Sequence, residues 1–334
     1  MQLNQAQQEA VDYVNGPCLV LAGAGSGKTR VITTKIVSLI NKHFIAPQQI
    51  CAVTFTNKAA AEMRDRVKQE LGSERSSLIT ISTFHSLGLN ILKEESVALG
   101  LGRNFTLFDQ YDSFKLIKDI VREKFPQILV DNSEKTVVEE IATDISTWKT
   151  SLLRPEDIAV RTIRVQVYEA YQAYLSACNA ADFEDLIFKT TLLLRDNQAV
   201  RDKWSSYYKY ILVDEYQDTN ETQYQLLKYL TSKNKRFTVV GDDDQSIYAW
   251  RGARPENIKV LSNDFPDLKV IKLEQNYRST QHILNCANKL ISNNEHIFNK
   301  TLYTKSNVGK KVQIMELRTQ NDEADRVVQL ILAH

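Results

Sequence analysis

Cysteine is scarce in this chain of 334 residues, with four in all. Cys18, Cys51, Cys178 and Cys286 lie far apart and show no C-x-x-C spacing. That excludes a disulfide framework and a cysteine-based zinc site, and it fits a reducing compartment. An excess of one charge is also missing. Lys and Arg number 42 against 41 Asp and Glu, a formal net charge of +1. The chain is not a polycation, so any contact with nucleic acid must come from a local groove and not from a global field. No apolar run reaches the roughly 18 residues that a membrane-spanning helix requires. The first residues lack the charged and apolar regions of a signal peptide, so the expected location is cytoplasmic. Internal repeats and low-complexity tracts are absent. The length suggests about two to three domains.

Against these absences stands one dense signal, Ala22-Gly23-Ala24-Gly25-Ser26-Gly27-Lys28-Thr29. It follows the apolar stretch Cys18–Leu21 and opens the helical pattern Val31, Ile32, Ile36, Leu39, Ile40. Strand, glycine-rich turn, Lys-Thr and helix make up the context of a phosphate-binding P-loop. Glycines let backbone N–H groups turn toward a polyphosphate, and the helix N-terminus adds partial positive charge. Lys28 can reach the terminal phosphates, and the Thr29 hydroxyl can ligate Mg²⁺. Ala22 stands where the motif usually has its first glycine, a position that tolerates a small residue.

Short β-branched runs at Cys18–Leu21, Cys51–Thr56, Leu78–Thr83, Tyr210–Asp214, Phe237–Gly241 and Leu268–Leu273 read as central strands of a parallel sheet. Helical patterns separate most of them, including Asn57–Leu71 and Thr219–Leu230, the latter with Thr219 or Asn220 as N-cap. This alternation predicts a doubly wound α/β core. Residues 88–208 carry helical periodicity almost throughout, at Asp109–Lys124, Glu134–Trp148, Ile163–Cys178 and Asp182–Leu194. They read as a helical domain inserted into that core, because a structureless loop of such length is implausible. Beyond Leu273 the pattern predicts a helix at Gln281–Ile291, a strand at Val312–Leu317 and a helix from Asp322 to His334. The last helix has no stop signal, so the chain reads as ending inside a domain.

Ile211-Leu212-Val213-Asp214-Glu215 is an apolar strand that ends in two carboxylates. Beside a P-loop, Asp214 is the candidate Mg²⁺ ligand and Glu215 the candidate base for an attacking water. Asp242-Asp243-Asp244-Gln245 follows another apolar strand. The three acids read as a solvated turn, and the Gln245 amide could sense a γ-phosphate.

Seven ordered blocks together resemble the superfamily 1A DNA helicases of the Rep/UvrD/PcrA group, and the wording is nearest the Rep branch. Leu3–Gln8 resembles the family's Q motif, Ala22–Arg30 motif I, Ala52–Ala60 motif Ia and Ser82–His85 the next DNA-contacting block. Val213–Asn220 resembles motif II, Gly241–Ala253 motif III and Leu273–Thr280 motif IV. The resemblance implies an ATP-dependent enzyme that translocates 3′ to 5′ on single-stranded DNA and separates strands in replication or repair, with ATP and Mg²⁺ as cofactors. It implies that Gln7 reads the adenine edge, that Tyr277 stacks on its face and that Arg278 contacts the γ-phosphate. Residues 22–30 would form the rest of the nucleotide site, Ala22, Gly23, Ala24, Gly25, Ser26, Gly27, Lys28, Thr29 and Arg30. Lys28, Asp214, Glu215, Gln245 and Arg278 would carry catalysis, with Thr29 and Asp214 on the metal. Phe55, Thr56, Asn57, Thr83, Phe84, His85, Tyr248, Trp250 and Arg251 fall in DNA-contacting blocks, with Phe183 a further candidate from the inserted domain. Aromatic rings stack on any base, and hydroxyls, amides and Arg hold phosphates without reading sequence. Core packing is the plainer alternative for Phe55 and Phe84, and an internal hydrogen bond for His85.

The implied architecture is a RecA-like P-loop domain at 1–87 and 209–276, a helical insertion at 88–208 and the start of a second RecA-like domain at 277–334. Implied partners are single-stranded DNA, single-strand/duplex junctions and proteins of replication or repair, with no membrane. The family's motifs V and VI are not found, so the chain reads as an incomplete motor. Two alternatives remain at this level. One is a nucleotide-dependent DNA-binding module without productive hydrolysis, and the other is the motor half of a helicase–nuclease. A small-molecule P-loop kinase would leave motifs Ia and III unexplained.

Overall fold

The computed structural model describes residues 2–102, 104–130, 133–249, 252–254, 256–294 and 298–333. Chain order begins with helix α1 (Gln5–Asp12), strand β1 (Pro17–Ala22), α2 (Lys28–Asn41), β2 (Ile50–Thr54), α3 (Asn57–Ser77), β3 (Thr80–Thr83) and α4 (Phe84–Glu94). Next come β4 (Thr106–Leu107), α5 (Gln110–Lys124), α6 (Glu134–Thr150), α7 (Ile163–Ala177), β5 (Ala180–Ala181), α8 (Asp185–Asp196) and α9 (Gln198–Tyr207). The chain continues through β6 (Tyr210–Val213), α10 (Glu221–Leu230), β7 (Phe237–Gly241), α11 (Asn257–Asp264) and β8 (Lys269–Leu273). It closes with α12 (Gln281–Ile291) and α13 (Gln320–Leu332).

Six strands form one sheet in the order β3-β2-β6-β7-β1-β8, and every pairing is parallel. The buried runs of the central strands β1, β2, β6 and β7 are what a parallel sheet covered on both faces demands, while the edge strands β3 and β8 are only partly buried. Side chains alternate between the faces. Leu19 and Leu21 of β1, Val53 of β2 and Ile211 and Val213 of β6 face a core with α4, α8, α9, α10 and α11. Cys18 and Val20, Ala52, and Tyr210 and Leu212 face the opposite core with α1, α2 and α3. A third cluster lies away from the sheet, between α5, α6 and α7, around Ile120, Ile141, Tyr168 and Tyr171. The helical stretch between β3 and β6 therefore divides. Its ends, α4, α8 and α9, pack on the sheet, and its middle has a core of its own.

The predicted strands and helices form with small shifts at their ends. The Asn57 helix breaks at Gly72, where φ is +80°, and Asn220 rather than Thr219 caps α10. Thr319 caps α13, which starts at Gln320 and not at Asp322. One expected element is absent. Val312–Leu317 forms no strand. A strand exists through pairing, and among the described residues nothing pairs with this stretch, whose Ile314 and Met315 are exposed. No described helix is long and apolar enough to cross a membrane.

Candidate nucleotide site and nucleic-acid interface

Parallel strands deliver their following loops to one edge of the sheet, where such folds bind ligands. The register shows how closely. Leu21 pairs with Gly241, and Ala22 with Leu273. Val53 pairs with Val213, and Thr54 with Thr83. Each resembling block after the first therefore begins at this edge.

In the P-loop, Gly25 (φ +71°) and Gly27 (φ +89°) adopt the left-handed backbone that glycine allows without strain. A second reason for glycine lies outside the loop. A Cβ on Gly25 would stand 2.7 Å from the Arg278 Cβ and 2.8 Å from the Asn276 amide nitrogen. Asn276 Nδ2 donates to the Ala24 carbonyl at 2.6 Å, and the Tyr277 N–H to the Gly25 carbonyl at 2.9 Å. The Asn276 Oδ1 accepts the N–H groups of Arg278 (2.8 Å) and Ser279 (2.7 Å). One asparagine thus sets the turn that carries Tyr277 and Arg278 and fastens it to the P-loop. Both of those side chains are exposed.

From the opposite side, buried Gln7 donates to the Ser26 carbonyl at 2.9 Å and accepts the Asn4 N–H at 3.0 Å, closing a capping box on α1. Asn4 in turn donates to the Tyr277 hydroxyl at 2.9 Å. Helix α1 is fixed by Lys35 of α2, whose buried ammonium donates to the carbonyls of Ala10 (2.7 Å) and Tyr13 (2.5 Å). Burial pulls that ammonium down to about 8. Ser26 is wholly buried and turns back on the Gly23 carbonyl. Ala22 ends β1, and Thr29 and Arg30 follow Lys28 in the first turn of α2.

Lys28 reaches across to Glu215, Nζ to Oε2, at 2.8 Å. Glu215 itself has φ +49°, a costly conformation for a residue with a Cβ. The same Oε2 accepts from Gln217 Nε2 at 2.9 Å, and Gln217 Oε1 accepts the Asp242 N–H at 3.0 Å. Asp242 Oδ2 accepts from the Gln245 amide. Motifs I, II and III are joined by one chain of contacts. Asp214 is buried, with Oδ1 accepting the Glu215 N–H at 3.0 Å. Burial, helped by the neighbouring Glu215, pushes its carboxyl up to about 6, and the same two causes act on Asp218, also to about 6. Two carboxyls that resist ionisation beside a third suit a bound cation. The donors nearby are hydroxyl and carboxylate oxygens, the set Mg²⁺ takes. Thr29 and Asp214 adjoin Lys28 and Glu215 in sequence, so the Lys28–Glu215 contact brings both candidate ligands into one neighbourhood.

The acids 242–244 are not the solvated turn their sequence suggests. Lys300, on the segment after α12, places Nζ 2.6 Å from Asp242, 2.8 Å from Asp243 and 2.6 Å from Asp244. Its side chain is 5% exposed. These carboxylate oxygens lie within 4.8 Å of one another, and the cation they hold is a lysine. The carboxylates keep that ammonium well above its usual range despite burial.

On the side of β2 and β3, Phe55 is half-buried and meets Phe84 edge-on, centroids 5.7 Å apart. Phe84 is a core residue at 3% exposure. Thr56 and Thr83 cap α3 and α4 by accepting the N–H groups of Ala59 and Ser86. Asn57, Arg64, Thr83, Ser86 and Asn90 line a shallow polar groove between these helices. His85 stacks on Phe183, centroids 3.9 Å apart, and Phe183 is half exposed. The turn carrying Phe183 is set by Asp182 and Asp185, which hold the buried Lys149 ammonium at 2.5 and 2.8 Å. Tyr248 is exposed. Trp250 and Arg251 lie outside the described residues. Sequence reasoning missed Gln217, Asn276, Lys300 and Lys149. Gln217 and Asn276 sit inside motif-like blocks and could have been suspected there. Lys300 and Lys149 carry no local signal.

Comparison with known proteins places the chain among helicases by sequence. The chain is 50% identical, over 340 aligned positions covering all of it and 50% of the relative, to the ATP-dependent DNA helicase Rep of Escherichia coli (strain K12). It is 46% identical, over all of its length and 49% of the relative, to the ATP-dependent DNA helicase Rep of Buchnera aphidicola subsp. Baizongia pistaciae (strain Bp). Against the ATP-dependent DNA helicase PcrA of Staphylococcus epidermidis (strain ATCC 12228 / FDA PCI 1200) it is 43% identical, over 99% of its length and 46% of the relative. The chain spans about half the length of these curated relatives. The family model for the UvrD/REP helicase N-terminal domain matches residues 3–266, and that for the UvrD-like helicase C-terminal domain matches residues 271–334. The chain belongs to the UvrD/REP helicase family.

Proposed function

We propose that this chain is the ATP-hydrolysing part of a DNA helicase that moves 3′ to 5′ on single-stranded DNA and opens strands at junctions. The observation that carries the reading is the linked series Lys28–Glu215–Gln217–Asp242–Gln245. It joins the P-loop, the carboxylate pair and the candidate phosphate sensor at one sheet edge. The names of the relatives support it, since each is an ATP-dependent DNA helicase.

In this reading residues 1–87 and 209–276 form the motor domain, 88–208 the helical insertion, and 277–334 the start of the domain that closes over the nucleotide. The P-loop N–H groups and Lys28 cradle the phosphates. Gln7 has one lone pair and one N–H left after its bonds to Asn4 and Ser26, the pair an adenine edge takes. Tyr277 stacks on the base. Thr29 and Asp214 hold Mg²⁺, which neutralises phosphate charge when bound. Glu215 accepts a proton from water as its oxygen attacks the γ-phosphorus, the bond to the β,γ-bridging oxygen breaks, and ADP leaves with that electron pair. Arg278 and Gln245 stabilise the charge spread over the transferring group. Phe55, the His85–Phe183 stack and Tyr248 offer π faces to bases, while Thr56, Asn57 and Thr83 suit phosphates. The setting is the cytoplasm, with replication or repair proteins as partners.

The test is phosphate release from ATP with and without a single-stranded oligonucleotide, with Glu215→Gln as control. DNA-stimulated release that vanishes in Glu215→Gln supports the motor. No release above background from the unaltered chain, with nucleotide still bound, identifies a binding module instead.

A further inference from the structure

We propose that Lys300 is a positioning residue for ATP hydrolysis, holding the Asp242–Gln245 turn against the nucleotide-facing side of the sheet. The inference rests on the ATPase reading above. Three features carry it. The ammonium has three donors and three carboxylate partners within 2.8 Å, a saturated arrangement that fixes direction as well as charge. One partner is Asp242, which also takes the Gln245 amide on its other oxygen and gives its N–H to Gln217. Gln217 in turn holds Glu215. Lys300 therefore stands two hydrogen-bonded residues from the proposed base, by way of the Asp242 backbone N–H and the Gln217 side chain, and one from the proposed sensor.

The segment bearing Lys300 is itself anchored to motif IV. Thr301 N–H donates to the Glu274 carboxylate at 2.8 Å, Tyr303 N–H to the Glu274 carbonyl at 3.0 Å, and Asn276 N–H to the Tyr303 carbonyl at 2.7 Å. Leu302 packs beneath Gly23, where an added Cβ would meet it at 2.5 Å. One short stretch, 300–303, thus touches motif III by a charge, motif IV by its backbone and the P-loop by an apolar side chain. A movement of motif IV relative to the P-loop is passed to Gln245 and Glu215 through the Lys300 ammonium.

The experiment compares the unaltered chain with Lys300→Met for ATP turnover with single-stranded oligonucleotide, for nucleotide affinity, and for amide hydrogen exchange. A positioning role predicts a fall in kcat of ten-fold or more with KM for ATP within two-fold. It also predicts exchange in 213–219 and 241–248 at least ten-fold faster, with α7 unchanged. Unchanged kcat and unchanged exchange in a folded Lys300→Met overturn the proposal. Removing the lysine leaves three acids facing one another, so a variant that fails to fold is replaced by Asp243→Asn/Asp244→Asn/Lys300→Met, which removes the repulsion and keeps Asp242. Slow turnover in that folded variant supports positioning, and wild-type turnover overturns it. If the unaltered chain releases no phosphate, the ATPase reading fails by itself, and exchange in 213–219 still decides whether Lys300 orders Glu215.

Discussion

The His85 imidazole lies flat against the Phe183 ring, with planes 21° apart and centroids 3.9 Å apart. The first residue starts a sheet-side helix, and the second sits on the turn that follows the helical middle of the chain. Burial pulls the His85 ring down to about 4, so the folded protein disfavours its charged form. The sign follows directly. The contribution is complete above the ordinary value near 6.5 and is lost as pH falls from there through 4, with about 2 kcal/mol gone by pH 4.5. Denaturant unfolding at pH 7.0 and 4.5 measures it. The loss is expected to shrink by that amount in His85→Gln, and an equal loss in both proteins would place the effect elsewhere.

Lys28 and Glu215 share a contact, but the proposed function gives them different tasks. Lys28→Ala is expected to abolish nucleotide binding, because the loop loses the cation that reaches the terminal phosphates. Glu215→Gln keeps the size of the side chain and is expected to bind nucleotide while kcat falls by about 10² to 10⁴, the usual worth of a general base. Equilibrium binding of a fluorescent nucleotide, set beside phosphate release, separates the two.

Lys149 is buried between Asp182 and Asp185, with Tyr171 donating to Asp182 at 2.9 Å and Lys189 3.2 Å from Asp185. Replacing it with Met leaves buried Asp182 with no cation and buried Asp185 with Lys189 alone. The expected cost is about 3–5 kcal/mol of stability, read by chemical denaturation. Because Phe183 lies between those aspartates, single-stranded DNA affinity is expected to fall in the same variant.

Gly25→Ala tests the fastening of the P-loop to motif IV. The added methyl meets Arg278 and Asn276 within 2.8 Å, on a backbone at φ +71°. Strain alone is about 1–2 kcal/mol, and the clash adds to it. ATP affinity is expected to drop by at least ten-fold. Retained affinity would mean that motif IV yields without consequence.

Much of this was legible from local pattern. A P-loop, a carboxylate pair after an apolar strand and the run Gly241–Gln245 declare themselves because their chemistry depends on neighbours in sequence. The central strands β1, β2, β6 and β7 were legible because both of their faces are buried. What could not be read were contacts between distant segments. Nothing near Lys300 says that its partners are the three acids 242–244, and without that partner the acids look solvated. Phe84 and Phe55 are alike in sequence, yet the first turns into the core and the second sits at its rim. Val312–Leu317 shows the reverse limit. Its residues favour a strand, but propensity cannot supply a neighbour to pair with.

Strand β1 lies between β7 and β8, and both are made long after it. A ribosome that has finished Ala22 must add more than 200 further residues before Phe237–Gly241 can pair with it, on the order of ten to forty seconds of synthesis. Throughout that interval Cys18–Leu21 is an apolar strand with no edge to join, although β2 and β3 already have each other. If the sheet forms as the chain is made, its pairing runs from β3 and β2 toward β8, and the loop after β1 is expected to be among the last parts to take shape. Substitutions that slow the docking of β7 should lower the yield of folded protein in the cell more than they lower its stability once folded.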